Sequence, residues 1–161
     1  MGGDLTHHSG ELRPSPHLPL PASLPTTSLG TLSQTLPQNY RSICPGSLFE
    51  SLQTLENRNR TPAATTPFFD PAMGTDIPLA IETIKKTMLA DADENVWYVF
   101  AHDAHVREVL GRENFFPREA NEWKKNGWRE KLLWRFLEDF GEGVKEVLKG
   151  EKEEGEGKEK L

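Results

Sequence analysis

Apolar residues recur at helical spacing in several parts of the chain. In residues 47–55, leucine and phenylalanine repeat every three or four positions behind a serine that can cap a helix. After Asp76 the apolar spacing is four, three and four, with a proline in the first turn, and this pattern ends at residues 89–92. A wide aromatic and aliphatic stripe covers residues 120–140, and a weaker helical stretch follows at 144–148. These patterns predict helices that each bury one face.

A continuous apolar run, VWYVFA, occupies residues 96–101. β-branched and aromatic residues without polar alternation favour a strand that is buried on both faces. The strand would lead into His102, and Asp103 is placed to cap a short helix after it. Ends of buried strands aim side chains into clefts, so His102 is a candidate site residue. The more common interpretation is a histidine that bonds the turn backbone or caps the next helix.

The opening and the end of the chain lack this periodicity. Five prolines within residues 13–25 fix their own φ angles and push the preceding residues toward extended backbone. Residues 11–67 are therefore predicted to be a long irregular loop region with one short helix. Residues 149–161 alternate Glu, Lys and Gly before a final leucine, which predicts a disordered charged tail. We expect one domain over residues 1–148.

Composition narrows the classes of function. The chain has 19 Lys and Arg against 25 Asp and Glu, a net charge of -6, so we expect no nucleic-acid partner. A single cysteine, Cys44, offers no intrachain disulfide and favours a reducing compartment. No window approaches the roughly 18 apolar residues of a membrane helix, and no basic start precedes an apolar run. We therefore expect a cytoplasmic protein without a membrane partner.

The segment GGDLTHHSGELRPS carries the other candidate chemistry. Its glycines let backbone approach a ligand closely, which makes Asp4 a candidate ligand, although Gly-Gly-Asp is also a common turn. His7 and His8 would face opposite ways in a strand, so we expect at most one of them near a site. A catalytic zinc takes three protein ligands, so Asp4 and His102 need a further histidine. No nucleophile elbow, P-loop or dinucleotide motif is present, and no catalytic residue is assigned.

Five stretches taken together resemble a known family. They are GGDLTHHSGELRPSPHLPLP, CPGSLFESL, PFFDPAMGTDIPLAIETIKK, DADENVWYVFAHD and FFPREANEWKKNGWREKLLWRFLEDF. In this combination and order they resemble the C-terminal half of fungal-type proteins of the metallo-β-lactamase superfamily, in its lactonase-like and glyoxalase-II-like branch. The resemblance covers residues 2–140. It implies an α+β fold that corresponds to the C-terminal half of a four-layered αβ/βα sandwich.

The resemblance also implies a site and an activity. The family holds zinc, usually two ions, at one edge between the halves of the sandwich. By this resemblance Asp4 matches the carboxylate that bridges the two metals, and His102 matches the last histidine ligand. The implied reaction is hydrolysis of a small-molecule ester, lactone, thioester or amide, because the metals lower the pKa of bound water and polarise the carbonyl.

The sequence departs from the family in one respect. The H-x-H-x-D-H motif, which supplies most of the family's zinc ligands, is absent. We therefore expect a truncated chain that is inactive alone, with a complementing half-domain or a second copy covering its apolar faces. The alternative is a non-catalytic remnant or interaction module that retains half of the fold. The sequence leaves open whether the chain is an enzyme.

Overall fold

A computed structural model of the protein describes residues 4–56, 61–111 and 120–158. Its strands are β1 (Ser23–Pro25) and β2 (Ile43–Pro45), and its helices are α1 (Ser47–Glu56), α2 (Ile77–Ala92), α3 (Ala104–Leu110), α4 (Trp123–Asn126), α5 (Trp128–Leu132) and α6 (Gly141–Lys158). Short 3₁₀ helices lie at Ser9–Glu11, Thr26–Gln34, Gln38–Tyr40, Ala120–Glu122 and Arg135–Phe140. Helices combined with one small antiparallel sheet are compatible with a partial α+β domain. Within the described ranges, no helix is both long and apolar enough to span a bilayer.

Three helices begin where the sequence predicts. The first residue of α1 is Ser47. Asp76 caps α2, and its Oδ1 accepts a hydrogen bond from the backbone N–H of Leu79 at 3.0 Å. Asp103 caps α3 in the same way, with Oδ1 accepting from the backbone N–H of His105 at 3.1 Å. These carboxylates satisfy N–H groups that have no partner inside the helix, and the three predictions are confirmed.

The strand predicted at residues 96–101 is wrong. Residues 96–100 carry no regular structure, and the next two residues form a turn. A strand needs a neighbouring strand for its backbone groups, and in the described part of the chain the one ladder joins β1 to β2. The Val96 carbonyl accepts instead from Arg129 Nε at 2.9 Å. The segment does not join a sheet, but its side chains are still half-buried at residues 96–99 and buried at Phe100.

Residues 11–67 are more regular than the predicted loop. β1 and β2 pair antiparallel with Leu24 opposite Cys44. The 3₁₀ segment at Thr26–Gln34 bends at Gly30, whose φ of 54° and ψ of -133° suit glycine. A Cβ at this position would lie 1.9 Å from the Glu138 carboxylate. The leucines between residues 20 and 52 enter the main core, and their burial offsets the cost of ordering a proline-rich chain.

The core consists of three clusters of buried side chains. The largest joins the opening region to α1, the Arg135–Phe140 segment and α6. A second joins Leu12 to Ile84 and Met88 of α2, with Leu5 and Tyr98 packed against its edge. The third joins α3 to α5 through Leu110, Trp128 and Leu132. Leu5 lies directly after Asp4, and Tyr98 lies shortly before His102, so the second cluster supports both segments.

A buried ion pair ties distant elements together. Arg13 donates from Nε and Nη2 to the two carboxylate oxygens of Asp91, at 2.7 and 2.5 Å. The two side chains are 5% and 3% exposed. Arg13 also donates to the Leu133 carbonyl at 3.1 Å, and Arg129 donates to the Asp91 carbonyl at 2.8 Å. The start of the chain, the end of α2 and the segment around α5 are therefore fixed to one another.

The predicted helix over residues 120–140 is interrupted. Gly127, in the left-handed conformation with φ 62°, ends α4, and a 3₁₀ segment replaces α-helix at Arg135–Phe140. Helix α6 includes the predicted stretch 144–148 and continues to Lys158, so residues 149–158 are helical where a disordered tail is predicted. Glutamate and lysine are good helix formers, which explains this difference. Residues 159–161 of the predicted tail lie outside the described residues.

Candidate functional site

The structure brings Asp4 and His102 together. His102 Nε2 lies 3.3 Å from Asp4 Oδ1, and the side chains are 55% and 72% exposed. His102 does not cap α3, because Asp103 performs that role. The glycines before Asp4 lie outside the described residues. The pair is a solvent-facing carboxylate and imidazole drawn from distant parts of the chain, and its role in binding metal stays a prediction.

His7 extends this pair. Its ring is stacked on the His102 ring, with centroids 5.2 Å apart and an interplanar angle of 18°. The backbone N–H of His7 donates to Glu11 Oε2 at 3.2 Å, which fixes the loop locally. Three side chains with donor atoms suited to a metal, Asp4, His7 and His102, therefore share one exposed edge.

His8 lies behind this edge in a hydrogen-bonded network that sequence reasoning missed. Its Nδ1 accepts from the Gly10 backbone N–H at 2.9 Å, so Nε2 carries the proton that is donated to Asp139. Asp139 Oδ2 lies 3.0 Å from His8 Nε2 and 3.0 Å from His105 Nε2. The network connects the loop that follows Asp4 to α3. Both adjacent histidines thus lie near the candidate site, contrary to the expectation of at most one.

The network perturbs the titration of its members. Burial opposes ionisation of Asp139, but the hydrogen bonds from His105 and His8 outweigh it and hold the pKa of this carboxyl well below its usual range. The hydrogen bond to Asp139 raises the pKa of His105, although burial acts in the opposite direction. Burial raises the pKa of Asp103, opposed by the charge of His105. The ion pair therefore favours a charged His105 beside a charged Asp139.

We expect Asp139→Asn to cost about 1 kcal/mol of stability near pH 5 and less near pH 8.5. The expected loss is small because Asp139 is 46% exposed, so solvent screens its ion pair with His105. A raised pKa of His105 contributes stability that is present below its ordinary value of 6.5 and lost as pH rises through the folded value. A lowered pKa of Asp139 contributes stability above 3.8 that is lost as pH falls further. Urea unfolding at both pH values measures the difference.

The matched control for this experiment is Glu142→Gln. Glu142 is a fully exposed acid near the start of α6, paired with Lys145, and its loss should alter stability little at either pH. Equal destabilisation by Asp139→Asn at pH 5 and pH 8.5 would contradict the role assigned to the His105 charge.

One further grouping has the composition of a metal site. Ligand atoms of His105, Glu108 and Glu138 all lie within 4.8 Å of one another, and His105 Nδ1 has no hydrogen-bond partner. The guanidinium of Arg135 is already present, however, with Nε 3.0 Å from Glu138 and Nη2 3.5 Å from Glu108. A metal cation would have to compete with this positive charge. The Asp4 and His102 pair, which no guanidinium or ammonium of the described residues is seen to contact, is the better candidate.

These observations define the class of the protein: a partial α+β domain that carries a carboxylate and histidines on one exposed edge. The chain is 38% identical over 144 residues to "Gamma-lactamase FDB1" of Fusarium pseudograminearum, a match that covers 87% of this chain and 31% of that protein. It is 36% identical over 142 residues to "Metallo-hydrolase mfmC" of Annulohypoxylon moriforme, covering 87% and 32%. The chain therefore spans about a third of the length of these curated relatives. The similarities confirm the resemblance: the chain matches a partial region of metallo-β-lactamase-like fungal proteins.

A third relative carries a different name. The chain is 31% identical over 152 residues to "Cytochrome P450 monooxygenase mpaDE'" of Penicillium brevicompactum, covering 94% of this chain and 14% of that protein. The matching region is a small part of that protein. No family model and no solved structure matches the chain.

Proposed function

We propose that this chain supplies part of the metal site of a hydrolase that cleaves small-molecule carbonyl compounds, with Asp4 and His102 as metal ligands. The relatives named as a metallo-hydrolase and a gamma-lactamase support a hydrolase-like function. Because these relatives are about three times as long as the matched region, the complete reaction is proposed for a protein that contains the whole fold. Because both relatives are named as enzymes, they do not favour the alternative, which is a non-catalytic module.

The observation that carries the proposal is the distance of 3.3 Å between Asp4 Oδ1 and His102 Nε2. Two ligands that each lie about 2.0–2.2 Å from a tetrahedral zinc ion are about 3.4 Å from each other. The separation therefore suits two ligands of one ion, and both side chains are accessible from solvent.

The surrounding residues support these two ligands. The His7 ring stacks on the His102 ring and places a second imidazole at the same edge. Asp103 fixes the start of α3 directly after His102, and Asp139 holds α3 to the loop that carries Asp4. Such outer contacts orient metal ligands and determine much of the affinity. A bound zinc would polarise a substrate carbonyl and lower the pKa of a water molecule.

The substrate class follows from the relatives and from the predicted chemistry. Hydrolysis of an ester, lactone or thioester is proposed from the resemblance, and the name gamma-lactamase adds a cyclic amide. These compounds share a carbonyl carbon open to attack by a hydroxide. Asp4 and His102 are the two proposed donors whose ligand atoms lie close together, so we expect zinc to bind this chain more weakly than a four-ligand site would.

Zinc titration of the purified chain tests the proposal. We expect one zinc ion to bind, and Asp4→Ala and His102→Ala each to weaken binding at least about tenfold, because each removes a ligand. The matched control is His17→Ala, which removes an exposed histidine that is not one of the proposed ligands. Zinc affinity that is unchanged in both Asp4→Ala and His102→Ala would refute the assignment. Circular dichroism of each variant verifies that the helices are retained.

A further inference from the structure

We propose that the cleft between α2 and residues 65–71 binds a small, mostly apolar molecule through an amide-type N–H group. The inference that this molecule is a substrate rests on the proposed hydrolase function. The inference that the cleft binds it rests on the structure of the cleft alone. It goes beyond the metal pair, because the cleft is lined by other residues.

The shape and the wall of the cleft fit a small molecule. Its volume is about 440 Å³, within the range of about 300–1,000 Å³ that is usual for ligand pockets. Ile81, Ile84 and Met88 line it from one face of α2. Because Ile84 and Met88 are themselves anchored in the core beside Leu12, this wall is fixed before any ligand binds. An apolar ligand face would gain by covering these side chains.

A buried carboxylate gives the cleft its polar specificity. Glu11 lines the cleft and is 6% exposed. Its Oε2 accepts the His7 backbone N–H at 3.2 Å. An ionised carboxylate can accept several hydrogen bonds, and a buried one gains from each. Glu11 is thus suited to accept a ligand N–H.

The charges around the cleft favour a neutral donor over an ion. Asp70 adds a second carboxyl group, and Lys85 and His17 are exposed basic residues of the same cleft. Positive and negative side chains are therefore both present, so neither a free cation nor a free anion is strongly selected. A ligand with a neutral N–H on an apolar ring could donate to Glu11 while its ring covers the apolar side chains of α2.

The cleft is also connected to the candidate metal pair. Glu11 bonds the backbone of His7, whose ring stacks on His102. A neighbouring groove, lined by Asp4 and His7, shares Pro71 with the cleft and follows the same helix α2. A molecule held at Glu11 therefore lies along the surface that leads to Asp4.

Methyl-detected NMR of the full chain in EDTA tests the inference, with oxindole, a bicyclic γ-lactam, as the probe. We expect saturable shifts of the Ile81, Ile84 and Met88 methyl signals with a Kd below about 1 mM, and no shift at Val144 of the main core. N-methyloxindole lacks the N–H and should bind about tenfold more weakly. Absence of saturable shifts, or equal affinity for the two probes, would overturn the inference.

Two variants of α2 provide a matched comparison. Ile81→Trp places a large ring in the cleft and should abolish the shifts at Met88, whereas Leu89→Trp adds the same ring at an exposed position outside the cleft and should leave binding unchanged. Oxindole binding that is retained in Ile81→Trp would place the probe elsewhere and refute the assigned cleft.

Glu11→Gln tests the contribution of the hydrogen-bond acceptor separately from that of the apolar wall of the cleft. The amide oxygen can still accept from His7, so the loop is preserved, but the charged acceptor is lost. We expect about tenfold weaker binding of oxindole and little change for N-methyloxindole; equal losses for both probes would refute the role of Glu11. The oxindole titrations contain EDTA, so their result does not depend on zinc. If the chain fails to bind zinc, the proposed function is refuted and the cleft is unaffected. If zinc binds but oxindole causes no shifts, only the inference about the cleft is refuted.

Discussion

Replacing Arg13 with methionine is expected to destabilise the fold by about 3–5 kcal/mol, because it leaves the Asp91 carboxylate buried without a charged partner. Asp91 is 3% exposed and receives two hydrogen bonds from the guanidinium. The substitution also removes the donor to the Leu133 carbonyl. Urea unfolding at pH 7 measures the loss, and the melting temperature should fall by roughly 6–20 °C for a chain of this size.

Two further variants show whether the charge pair causes this loss. The double variant Arg13→Met with Asp91→Leu should recover a large part of the stability, since it also removes the Asp91 carboxylate that Arg13→Met leaves unpaired. Lys86→Met breaks an exposed pair with Glu82, whose side chains are 72% and 60% exposed, and should change stability by less than about 1 kcal/mol. A loss below about 1 kcal/mol in Arg13→Met would show that solvent reaches Asp91 after all.

Local sequence signals predicted the starts of α2 and α3 correctly, since a cap acts over only a few residues. Asp76 and Asp103 each bond a backbone N–H within three positions, so their function can be derived from the sequence alone. The strand at residues 96–101 failed for the opposite reason. β-structure depends on a distant partner, and in the described part of the chain no strand pairs with this segment.

The candidate site was predictable only in part. The family resemblance singled out Asp4 and His102, and the structure adds that they lie within 3.3 Å of each other. No spacing rule indicates Asp139, because its partners His8 and His105 are remote in sequence and meet it only after folding. Glu11 was missed as well, since nothing local distinguishes a buried glutamate from the exposed majority. Non-local packing decides these positions.

Phe136 links the core to the candidate site, and we expect Phe136→Ala to cost about 3–5 kcal/mol. Its side chain is 2% exposed and meets the Phe68 ring edge-on at 5.7 Å. It also meets the His8 ring edge-on at 5.6 Å, so it supports the histidine that bonds Asp139. Removing the ring leaves a cavity at the point where the core holds this network. Chemical unfolding at pH 7 measures the loss.

Phe136→Leu keeps most of the volume and should cost only about 1–1.5 kcal/mol, which leaves a folded protein for study. In this variant the His8 ring loses its aromatic neighbour, so we expect its NMR signals to shift while those of exposed His17 stay in place. Leu89→Ala, at a side chain that is 65% exposed, should change stability by less than about 0.5 kcal/mol. If Phe136→Ala were as mild as Leu89→Ala, the network behind Asp4 and His102 would not depend on this core.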